Sequence, residues 1–211
     1  AAQLSGNVSN SFKGTFDGDG HTISGLKIVN ISKNLQNVGL FGVLDGAVVK
    51  KLAIEDARVY GYNHVGILAG QIKGESVITD VTVEGTAAAN TSSGGYASDA
   101  AVGGLAGKIS GSNSGSRTTI ENVTATVNTV NLGATSKTGG IAGEVSNAYI
   151  VDTSVSATGN NILGRYYVGG IVGAMSSGTS IYNVSVDGTI GGNGAYTVGG
   201  ITGYYEGGEI V

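Results

Sequence analysis

Histidines and clustered carboxylates are the usual makings of a metal site or an acid–base pair, and this chain has few of either. Its two histidines are His21 and His64. His21 closes the stretch Asp17-Gly-Asp-Gly-His21, where two carboxylates and an imidazole offer oxygen and nitrogen ligands within five positions. Asp17, Asp19 and His21 are therefore a candidate Ca2+ site. The spacing lacks the third early carboxylate and the distal bidentate Glu of an EF-hand loop, and the simpler reading is a Gly/Asp turn before a strand. His64 reads as a surface-loop residue beside Tyr60 and Tyr62.

Acid–base hydrolysis of a polysaccharide needs two carboxylates on one face. Glu55 and Asp56 are adjacent, near Arg58, but consecutive strand residues point to opposite faces. Serine is abundant, yet no Gly-x-Ser-x-Gly elbow accompanies either histidine. Gly191-Gly-Asn-Gly194 is followed neither by a helical pattern nor by Lys-Ser/Thr, so it is not a phosphate loop. These patterns predict no catalytic residues and no enzyme.

Tyrosine is the remaining chemical signal, with ten Tyr against three Phe and no Trp. Tyr60, Tyr62, Tyr96, Tyr166, Tyr167 and Tyr196 all precede a glycine-rich strand pattern. Equivalent positions in stacked repeats would gather some of them on one face. Such rings suit a sugar or a protein partner, and otherwise cover loop edges.

The elements carrying these residues are repetitive. Val102-Gly-Gly-Leu-Ala-Gly107 recurs as Thr138-Gly-Gly-Ile-Ala-Gly143, Val168-Gly-Gly-Ile-Val-Gly173 and Val198-Gly-Gly-Ile-Thr-Gly203, with looser copies ending at Gly42 and Gly70. The final glycines Gly42, Gly70, Gly107, Gly143, Gly173 and Gly203 are separated by 28, 37, 36, 30 and 30 residues. A constant core with variable spacing means one structural unit with loops of different length. Apolar residues two before and two after each final Gly place that Gly on the inward face of a strand, where a side chain would collide.

A second unit follows, as in Val49-Lys-Lys-Leu-Ala-Ile54 and Ile120-Glu-Asn-Val-Thr-Ala125, and the opening Ile23-Ser-Gly-Leu-Lys-Ile28 reads as the same unit. Its apolar residues run i, i+3, i+5, so the period of two slips once. The slip falls at Gly25, Lys51, Asp80, Asn122, Asp152 or Asn183. Gly, Asn and Asp tolerate the left-handed conformation, so a corner is expected there, with Lys51 strained or differently turned. Asn122 and Asn183 are expected to stack buried amides along the axis. They also head Asn-x-Ser/Thr sequons, as do Asn7, Asn30 and Asn90. The stretches Ala87–Ala101 and Gly111–Arg117 read as exposed loops.

Repeats of two or three short strands bury their apolar faces only by stacking. The prediction is an all-β protein: a parallel β-helix, or solenoid, of about six coils in a single domain over 1–211. The pattern is cut at both ends, which points to a piece of a longer solenoid or to end-to-end self-association into a filament.

Composition agrees with this. Glycine numbers 39, with no Pro and no Cys, and net charge is −4. Without Cys there is no disulfide framework. No basic stripe invites nucleic acid, and no apolar run is long enough for a transmembrane helix.

The repeats resemble the GLUG-motif arrays of bacterial secreted and surface proteins. The resemblance covers most of the chain, and Phe12–Leu26 looks like the segment that leads into such arrays. It implies an extracellular or cell-surface setting in bacteria, in adhesin-like proteins or as an accessory region of immunoglobulin A1 proteases, and it carries no catalytic residues. The His-Glu-x-x-His protease signature is absent. The chain thus reads as a non-catalytic structural or adhesive module whose partner is a host or cell-surface protein or a glycan. The alternative is a carbohydrate-binding or polysaccharide-cleaving β-helix. No cofactor beyond Ca2+ is implied.

Overall fold

A computed structural model describes residues 10–29, 36–89, 100–192 and 194–211. Asn7, Asn30, Asn90 and Tyr96 lie outside the described residues. The described chain is all-β, and its strand ladders are parallel throughout. Three sheets form the walls of a solenoid of six coils.

The broadest wall is built from the ribbons Val48–Gly61, Val77–Ala89, Thr118–Asn131, Ala148–Gly164 and Ser180–Gly191. Thr15–Asp17, Thr22–Ser24 and Lys27–Val29 stack on the first of these ribbons, and Glu209–Ile210 on the last. Counting Thr15–Val29 as the first ribbon, each coil runs from a ribbon through two shorter strands. The middle wall stacks Asn37–Val38, His64–Val65, Ala101–Gly103, Lys137–Gly139, Tyr167–Gly169 and Thr197–Gly199. The glycine wall stacks Phe41–Asp45, Ala69–Lys73, Ala106–Ser110, Ala142–Ser146, Val172–Met175 and Thr202–Tyr205.

Parallel pairing sets like residues above one another, with register shifts confined to the second half of the ribbons, as between Ile54 and Ala57 or Thr126 and Thr129. Phe16, Val49, Ile78, Ile120, Ile150, Ile181 and Ile210 form one column. Its members from Val49 to Ile181 are fully buried. Burying an aliphatic side chain contributes about 1.5–3 kcal/mol, so such columns supply most of the cohesion. Burial falls off in the sixth coil: Val168 is 0 % exposed, whereas its stacked neighbour Val198 is 50 % exposed. At the other end the chain's three phenylalanines meet. Phe12 and Phe16 lie 5.2 and 5.5 Å from Phe41 between ring centroids, plugging the first coil.

The repeated glycines let the middle and glycine walls touch backbone to backbone. A Cβ on Gly143 would sit 2.5 Å from the Val102 nitrogen and 2.7 Å from the Lys137 oxygen. Gly70, Gly107, Gly173 and Gly203 face equivalent backbone, and Gly42 is buried in the first strand of the same wall.

Three expectations need correction. Ile23–Ile28 is not the first copy of the Val49–Ile54 unit. Ile23 stacks on Ile54 and Ile28 on Val59, which places Gly25 over Asp56 at a second bend of the ribbon. Gly25 and Asp56 both have positive φ, 68° and 47°. That bend also leaves Glu55 and Asp56 both exposed rather than on opposite faces. Second, the borders of the Ala87–Ala101 stretch are buried: Ala87–Ala89 end a ribbon, and Ala100 and Ala101 lead into the middle wall. Third, His64 is a half-buried strand residue whose Nδ1 lies 3.0 Å from Asn37 Oδ1.

Candidate functional site

The first corner of each ribbon creates the most polar surface. Lys51, Asp80, Asn122, Asp152 and Asn183 adopt φ of 51°, 55°, 50°, 50° and 46°. All five turn the same way, so Lys51 keeps the geometry and carries the strain that its side chain incurs there. The left-handed turn points the side chain outwards. Asn122 and Asn183 are therefore exposed, which corrects the expectation of buried amides. The stacking itself is present: Asn122 Nδ2 donates to Asp80 Oδ1 and Asn183 Nδ2 to Asp152 Oδ1, each at 2.6 Å. Carboxylate and amide thus alternate up the corner, each pair tying two coils. Thr79, Glu121, Thr153 and Ser185 share the open groove beside this ladder. The groove offers a row of hydroxyls, amides and carboxylates at the coil spacing, about 4.8 Å.

The predicted metal residues serve the first coil's own corner. Asp17 accepts a hydrogen bond from the Asp19 backbone at 3.0 Å and pairs with Lys50 Nζ at 3.1 Å. That backbone hydrogen bond, followed by Lys50, holds the Asp17 carboxyl below its usual range. Asp19 takes φ of 49°, and His21 is exposed. Among the described residues, no three His, Cys, Asp or Glu side chains are grouped to hold a metal ion.

The aromatic surface divides in two. Tyr60 and Tyr62 belong to the second coil and are half-buried, Tyr62 packing against the core. Tyr166, Tyr167 and Tyr196 come together in the fifth and sixth coils, joined by Tyr204. Tyr166 and Tyr196 stack at 5.0 Å and 13°, Tyr167 and Tyr204 at 4.4 Å and 12°, while Tyr166 and Tyr167 are tilted at 4.4 Å. Desolvation among these rings, then the hydrogen bond with the Tyr166 hydroxyl, raises the Tyr167 phenol above its ordinary value near 10. Tyr204 was not expected here because it follows its glycine rather than preceding it. The tight glycine arch folds the row after the Gly back beside the row before it.

The same arch builds an ion cluster one coil below. Lys108 Nζ and Lys137 Nζ reach the two oxygens of Glu144 at 2.7 and 2.6 Å. Burial works against the Glu144 charge, but the two ammonium groups outweigh it and hold its pKa at about 2. Tyr167 stacks directly on Lys137, so the aromatic and ionic clusters form one continuous strip.

No family model matches the chain. No solved structure matches it significantly. Over 86 residues the chain is 43% identical to halomucin of Haloquadratum walsbyi (strain DSM 16790 / HBSQ001), a stretch covering 40% of this chain and 1% of that protein.

Proposed function

We propose that the chain is a non-catalytic structural β-solenoid module of a surface or secreted protein, organised as a GLUG-type array. The observation that carries this reading is the use made of the repeat. Its recurrent residues are consumed in stacking: apolar columns inside, glycine backbone contacts between walls, and Asp/Asn bonds at the corner. What varies from coil to coil is the outer surface and the loops. The similarity to a short stretch of a protein about a hundred times longer than that stretch supports a modular role. An adhesive role follows where the outer surface meets a partner.

The tyrosine cluster favours a second reading, carbohydrate binding on its exposed rings. Tyr196 is 71 % exposed and its ring stacks on Tyr166 at 5.0 Å. A glycan array combined with a reducing-sugar assay separates the readings. The structural reading expects resistance to proteolysis and no turnover of any polysaccharide. Turnover abolished by Glu121→Gln or Asp152→Asn would overturn it. Saturable glycan binding lost in Tyr196→Ala would establish the second.

A further inference from the structure

The four clustered tyrosines are arranged for a reaction that wall stacking does not require. Their rings pair across the boundary between the fifth and sixth coils, Tyr166 with Tyr196 and Tyr167 with Tyr204, nearly parallel and in contact. Tyr196 and Tyr204 are 71 % and 38 % exposed, so a dissolved oxidant reaches both pairs. Among side chains more readily oxidised than tyrosine, Cys and Trp are absent and the one methionine, Met175, is fully buried, while the exposed Tyr149 and Tyr205 are not in these ring pairs. A chain without Cys also lacks the ordinary means of covalently fastening an extracellular fold.

We propose that this cluster is a site of oxidative tyrosine–tyrosine coupling, which bonds the fifth coil to the sixth. The oxidant is a peroxide acting through a peroxidase-type one-electron catalyst. Each of two phenols gives up one electron and its hydroxyl proton. The two phenoxyl radicals join through their ortho carbons, forming one carbon–carbon bond. The ortho hydrogens then move to the oxygens, restoring both aromatic rings. The pair has lost two hydrogens, and one hydrogen peroxide has become two waters. Holding the partners in contact makes the coupling unimolecular, which sets it far ahead of collisions between dilute molecules.

The test treats the dilute chain with a haem peroxidase and hydrogen peroxide. The expected product is a monomer lighter by two hydrogens per bond, with blue dityrosine fluorescence. Tandem mass spectrometry of its digest should join the Tyr166 peptide to the Tyr196 peptide, or Tyr167 to Tyr204. Tyr196→Phe should remove the first link and Tyr204→Phe the second, and the double variant should lose at least about tenfold of the intramolecular fluorescence. These substitutions keep the ring, and circular dichroism checks that the wall is intact. The proposal is overturned by coupling that is only intermolecular, by links confined to other tyrosines such as Tyr60, Tyr62, Tyr149 or Tyr205 or to the Tyr166–Tyr167 neighbours, or by no mass loss where free tyrosine couples. The wild-type peptide map decides it even if a variant fails to fold.

Discussion

Gly170 and Gly200 hold the same place in the repeat, the second Gly of Val-Gly-Gly-Ile, yet alanine should affect them in opposite ways. A Cβ on Gly170 would press into the Gly200 carbonyl oxygen and lie 2.8 Å from Val186 Cγ1 and 2.9 Å from Ile190 Cδ1. On Gly200 it would meet nothing within 4 Å. Neither residue has positive φ, so the backbone tolerates alanine at both. The carbonyl cannot rotate away, because Gly170 and Ile171 are bonded to the Gly199 and Ile201 oxygens at 3.2 and 2.9 Å. Relief requires the two coils to part by roughly 1 Å, an overpacking cost of about 1–3 kcal/mol. A weakened ladder bond adds about 1 kcal/mol. Gly170→Ala should therefore loosen the sixth coil by about 3 kcal/mol, whereas Gly200→Ala should fall within about 0.5 kcal/mol or stabilise slightly through the unfolded chain. A solenoid opens in parts, so the assay is amide hydrogen exchange resolved over Thr197–Tyr205 rather than a single melting temperature. Exchange in Gly170→Ala should quicken about a hundredfold, at tenfold per 1.4 kcal/mol. Equal effects from the two variants would show that the glycines serve local backbone geometry, and the stacking explanation would be wrong.

Other perturbations probe separate features. The Glu144 pKa is depressed from 4.5 to about 2, so the stability it adds is present above pH 4.5 and is lost as pH falls through about 2. Discounted for partial exposure this is about 1–2 kcal/mol, and Glu144→Gln should flatten the acid limb of a urea-midpoint titration. Thr138 stands in the column otherwise formed by Val38, Val65, Val102, Val168 and Val198, and its fully buried hydroxyl has no partner among the described residues. Thr138→Val should raise stability by about 1 kcal/mol in chemical denaturation. Lys51→Asn should stabilise by about 0.5–1 kcal/mol by placing a tolerant residue at φ of 51°, read as a rise in the same midpoint.

The solenoid was legible because stacking forces like residues to recur, and Gly143 or Ile141 could be aligned with its counterparts by eye. Periodicity gives phase along a strand but not the hand of a bend. Spacing alone therefore puts Asn122 inside, whereas its left-handed turn aims it at solvent. Register between coils was legible only where the copies resemble one another. Spacing matches Gly25 to the Lys51 corner because the ribbon contains a second bend, at Asp56, that repeats the same i, i+3, i+5 spacing. The tyrosine group was half legible. Tyr166, Tyr167 and Tyr196 share a place before a glycine strand, whereas Tyr204 reaches them only across the arch that the glycines permit. The Lys108–Glu144–Lys137 cluster left no trace in sequence, since its members lie on both sides of that arch and in two coils.

Stacking in series gives the wall a mechanical response. Tension drawn along the solenoid would load the coils one after another, and the coil where Phe12 and Phe16 grip Phe41 would hold longest. Each coil that peels away frees about thirty residues, or about 100 Å of slack. The chain would then lengthen in even steps under a pull, and shorten again as each coil found its neighbour's open edge.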